Sequence, residues 1–73
     1  MSYAILTVDP TPRVMLIAST PDEAADLFSS ATHYHLSARE ITTIRCACRG
    51  PRDVEGSVPF TLFGKTYYAQ RVL

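Results

Sequence analysis

Seventy-three residues, 47% hydrophobic and 19% charged, describe one small folding unit rather than a disordered tail or a fibrous repeat. A chain this short buries only about 60% of the surface its unfolded form exposes, so a partner, metal or disulfide would be a welcome stabiliser. The net charge is zero, but residues 1–32 set Asp9, Asp22, Glu23 and Asp26 against Arg13 alone, whereas residues 33–73 set six cations against three acids.

Tyr3 to Val8 is rich in β-branched and aromatic residues and reads as a strand. Asp9-Pro10-Thr11-Pro12-Arg13 is turn chemistry, because each proline fixes φ and lacks an N–H donor. Val14 to Ala18 is apolar at every position, which predicts a second strand, antiparallel to the first and central in its sheet.

Thr20-Pro21-Asp22-Glu23 is a capping box with proline at the first helical position, and its acids favour the helix dipole. Ala24, Leu27, Phe28 and Ala31 then recur at helical spacing, so a helix is expected over 21–31 with Leu27 and Phe28 on the sheet. Ser37-Ala38-Arg39-Glu40 matches a second capping box. The residues after it point elsewhere: Ile41-Thr42-Thr43-Ile44 is β-branched, and 44–49 alternates apolar and polar. A strand over 41–49 is therefore expected, with Ile44, Cys46 and Cys48 inward and Thr43, Arg45, Ala47 and Arg49 outward.

A polar loop over 50–57 leads to a hairpin, Val58 to Phe63 and Thr66 to Val72, turning at Gly64-Lys65 in type II′ geometry. That register sets Leu62 against Tyr67, Phe60 against Ala69 and Thr61 against Tyr68. The expected fold is one α+β domain over 1–73. It has two layers: an antiparallel sheet of about five strands with one helix on one face, in the order ββαβββ. The second face of such a sheet meets solvent unless a partner covers it.

No apolar run approaches the roughly 20 residues of a membrane span. The N-terminus lacks the basic start and long apolar core of a secretory signal, so a cytoplasmic, membrane-free protein is expected. His33-x-His35 with Cys46-x-Cys48 offers zinc-type donors, but at a spacing shorter than zinc pairs use. These residues read as loop histidines and small core cysteines, and no metal or other cofactor is expected. Gly64-Lys65-Thr66 lacks the upstream glycine and following helix of a phosphate-binding loop. No nucleophile, base and orienting group fall into a catalytic pattern, so the protein is read as a non-enzyme.

Binding remains. Six of the seven cations are arginine and four residues are tyrosine, the side chains enriched where proteins meet. The expected contacts are the helix acids Asp22, Glu23 and Asp26 and a basic set, Arg45, Arg49, Arg52, Tyr68 and Arg71. The alternative is a small nucleic-acid-binding domain using Arg45, Arg49, Lys65, Tyr68 and Arg71 on a basic sheet face, although the pI of about 6.7 is far from a basic footprint. A monomer or a homodimer joined by an open sheet face or an edge strand fits either reading.

In size and style, without any shared motif, the chain resembles the small accessory proteins of phages and prophages, of which the anti-CRISPR inhibitors are the best known. The resemblance implies a compact α+β module that inhibits a nucleic-acid-handling host defence complex by protein contact. The neutral charge departs from that group, many of whose members are acidic.

Overall fold

A computed structural model of the chain describes residues 2–8, 11–50 and 56–72. Four strands and two helices follow in the order ββααββ: β1 (Ser2–Thr7), β2 (Arg13–Ala18), α1 (Pro21–Thr32), α2 (Ala38–Arg49), β3 (Ser57–Leu62) and β4 (Lys65–Val72). The strands form one antiparallel sheet in the order β2-β1-β4-β3. Both helices lie on one face of it, α1 against β1 and β2, and α2 against β3 and β4. The α+β class and the antiparallel sheet are as expected; the five-stranded, one-helix order is not.

The difference lies in 38–49, which is a helix. The capping box is complete: Glu40 N–H donates to the Ser37 hydroxyl at 3.4 Å, and the Glu40 carboxylate accepts from Ser37 N–H at 2.7 Å. Ile41, Ile44 and Cys48 fall at i, i+3 and i+7 and pack inward with Ala47. The β-branched threonines are accommodated because Thr42 and Thr43 donate their hydroxyls back to the carbonyls of Ala38 and Arg39. Six residues of apparent alternation also satisfy the helical period, since 44, 47 and 48 share one face. Cys46 therefore points outward and Ala47 inward, the reverse of the strand reading.

α1 starts as expected. Thr20 caps it by accepting from Glu23 N–H at 3.0 Å, while the Glu23 carboxylate reaches one residue further back, to Ser19 N–H at 2.8 Å. Its buried face is Pro21, Ala24, Ala25 and Phe28, and Leu27 stays exposed, against expectation. The helix closes with His33 in the left-handed region at φ 61°, and Ser29 donates its hydroxyl to the Tyr34 carbonyl.

β2 is an edge strand, not a central one. Its apolar run has another cause, a β-bulge opposite Ile5–Leu6 that inserts Met15 into the ladder. The bulge lets the consecutive residues Met15 and Leu16 both pack on the core and leaves Val14 and Ile17 on the other face.

The β3–β4 turn is Phe63-Gly64, with φ 54° and 76°, the two positive values that a type I′ hairpin needs. Phe60 thus pairs with Tyr67 and Pro59 with Tyr68, two positions from the expected register. A shift of two leaves each side chain on its expected face. The core centres on Phe28, which meets Tyr67 edge-on at a centroid distance of 4.9 Å and Phe60 at 6.3 Å. Full burial of a ring such as Phe28 stabilises the fold by about 1.5–3 kcal/mol.

Candidate interaction surfaces

The helix layer holds most of the expected charged contacts, and several are occupied within the fold. Asp22 of α1 meets Arg45 of α2, Oδ1 to Nε at 3.0 Å, with both side chains substantially exposed. Glu23 caps α1 through Ser19. Asp26 and Arg49 are exposed, Arg49 one turn beyond Arg45 on the same helix. Arg45 and Arg49, with Thr42 and Cys46, border an open depression of about 500 Å3. A wider groove of about 690 Å3 runs between α2 and β3, floored by Ala47, Val58 and Phe60. Arg52, like Asp53 and Glu55, lies outside the described residues.

The basic sheet face expected of a nucleic-acid binder does not form. Arg45 and Arg49 moved to a helix when the strand over 41–49 became α2. Tyr68 faces away from them, on the side of the sheet opposite the helices, because it alternates with the buried Tyr67 and Ala69. Arg71 and Lys65 share the parity of Tyr67 at the two ends of β4. The structure brings together Asp22, Arg45 and Arg49; it separates all three from Tyr68.

The two histidines and two cysteines are likewise dispersed. His33 and His35 are exposed on the α1–α2 connector, Cys46 is exposed on α2, and Cys48 is fully buried beneath the same helix. No group of three or more metal-ligating side chains occurs among the described residues. Nor is any helix among them long and apolar enough to cross a membrane.

The most distinctive surface is one that sequence patterns did not mark residue by residue: the open face of the sheet. Four residues stand in cross-strand register across all four strands, Val14 beside Leu6, Leu6 beside Tyr68, and Tyr68 beside Pro59. Ile17, Ala4 and Gln70 form the adjacent row, and Val72 lies at the margin. Val14 and Ile17 are 53% and 59% exposed. A shallow depression of about 320 Å3 opens among Leu6, Val8, Tyr68 and Gln70. Among the described residues, this face carries no charged side chain at all; its polar members are Ser, Thr and Gln. A solvated antiparallel face ordinarily alternates apolar-in with polar-out. The signal in the sequence was the doubly apolar β2, which reads as an edge strand with an apolar outer face once the bulge is allowed.

Comparison with known proteins returns no match: no family model, no curated protein and no solved structure is significantly similar to the chain.

Proposed function

We propose that the protein is a non-enzymatic protein-binding module whose contact surface is the open sheet face, centred on the row Val14–Leu6–Tyr68–Pro59. The observation that supports this reading is that, among the described residues, that face carries no charge while four acids and six cations lie elsewhere. Depletion of charge with a central aromatic is the composition of an interface core, and solvated surfaces lack it. A contiguous apolar patch on so small a protein marks a binding site or an aggregation hazard. Tyr68 brings a rigid ring with a polar tip, suited to the centre of such a patch.

The charged residues of the helix layer lie on the other side of the molecule, so the proposal moves the principal contact from them to the row. A nucleic-acid-handling complex as the partner, and inhibition as the outcome, belong to the proposal on the strength of the resemblance in size and style alone. Capture by the immobilised chain from host extract tests it. Tyr68→Glu with Val14→Glu places two charges on the row at solvent-facing positions; capture should be lost while the far-ultraviolet circular dichroism is kept. Undiminished capture by the folded variant removes the row from the account.

A further inference from the structure

We infer that the chain pairs with a second copy of itself along the β2 edge, in an antiparallel two-fold arrangement that extends the sheet from one protomer into the next. The two edges of the sheet are not equivalent. In a two-residue hairpin the pairs flanking the turn exchange both backbone bonds, and alternate pairs follow suit. Leu62, Phe60 and Val58 of β3 therefore bond inward to β4, and Pro59 turns its backbone outward at the middle of that edge. Proline has no N–H to give there, so strand addition at β3 is blocked. β2 has neither proline nor lysine, five of its six residues are apolar, and beyond its bulge at Met15 the stretch Leu16 to Ala18 keeps regular register.

The flank of α1 repeats the message. Asp22 marks the side of α1 that faces α2. At about 100° per residue, Leu27 and Ala31 lie on the opposite flank, beyond the buried Ala24 and Phe28 and above the β2 edge. Both are exposed, and Leu27 is 37% accessible. The β2 edge is thus bracketed by Leu27 on one side of the sheet and Ile17 on the other, where a solitary edge strand would carry charge.

Charge complementarity selects a second copy as the occupant. Arg13 opens β2, is exposed, and makes no ion pair among the described residues. The far end of β2 runs into Ser19, whose N–H holds the Glu23 carboxylate in place. Antiparallel pairing of two β2 strands brings Arg13 of each protomer to the end where the other holds Glu23. The two-fold axis makes that contact twice, as an isologous interface requires. The open face stays exposed in this dimer, so self-pairing is separable from partner binding.

Sedimentation across a concentration series reads the result. The wild type should reach twice its 8.1 kDa mass, and Arg13→Glu or Glu23→Lys should each weaken association at least tenfold. Mixing the two variants should restore dimers, because both contacts are then between opposite charges. Tyr68→Glu should leave the dimer intact. A wild type that stays monomeric to millimolar concentration overturns the inference, including the case in which only a strand from another protein occupies the edge. So does a dimer indifferent to the edge charges, or one dispersed by Tyr68→Glu.

Discussion

Asp22 and Arg45, from opposite ends of the charge division in the chain, stand 3.0 Å apart and join α1 to α2. The acidic half and the basic half are therefore not two separate surfaces; at their centre they neutralise each other. Both partners are well exposed, so the pair is worth at most about 1 kcal/mol, screened by salt. Asp22→Asn should lower the urea midpoint slightly at low ionic strength and leave it unchanged in high salt. A large loss that persists in salt would mean that Asp22 does something other than pair with Arg45.

The helical assignment of 38–49 has a sharp chemical consequence. Cys46 is exposed and Cys48 has no accessible surface. A thiol reagent should modify Cys46 quickly in the folded protein and reach Cys48 only at the rate of opening or in denaturant. On the strand reading both thiols would point inward and react alike, so equal protection of the two would restore it. Ala47→Arg supplies a second check. The residue is 4% exposed, so the substitution should unfold the domain, whereas on an outward strand position it would be tolerated.

The capping box of α2 predicts a pH dependence. The Glu40 carboxylate accepts the Ser37 N–H and interacts with the Ser37 hydroxyl, and these bonds hold its pKa below the ordinary 4.5. A carboxylate whose folded pKa is depressed stabilises the fold above its unfolded pKa and loses that contribution as pH falls through the folded value. The wild type should lose melting temperature as pH falls below the ordinary 4.5 and through the lower folded value, and Glu40→Gln should lose less over the same interval. Parallel curves for the two proteins would show that the carboxylate is not engaged in the folded state. At neutral pH, Ser37→Ala should cost about 1 kcal/mol through loss of the cap.

Much of the fold was legible because it rests on local chemistry. Thr20-Pro21 marked the start of α1, and the Phe60/Tyr67 face of the last hairpin followed from alternation. The failures were contests between local signals. Ser37 and Glu40 spoke for a helix while Ile41 to Ile44 spoke for a strand. The caps prevailed because Ile41, Ile44, Ala47 and Cys48 gain a continuous buried face only when the segment is helical. β2 misled because a bulge, invisible in its sequence, turns Met15 and Leu16 to the same side. Leu27 matched the α1 stripe, yet it overhangs the edge of a sheet only four strands wide. The candidate site shows the same limit. Tyr68 was identified as a contact residue, but its companions Val14, Leu6 and Pro59 become neighbours only through pairing of all four strands.

Side-chain footprinting of the protein alone and with its captured partner tests the central claim most directly. Tyr68, Leu6 and Val72 report on the open face, and Cys46 and Arg49 report on α2. The proposed function predicts that labelling of the first group falls on complex formation while alkylation of Cys46 continues unchanged. Protection of Cys46 and Arg49 with Tyr68 still fully labelled would contradict it and return the contact surface to the arginine-bearing helix.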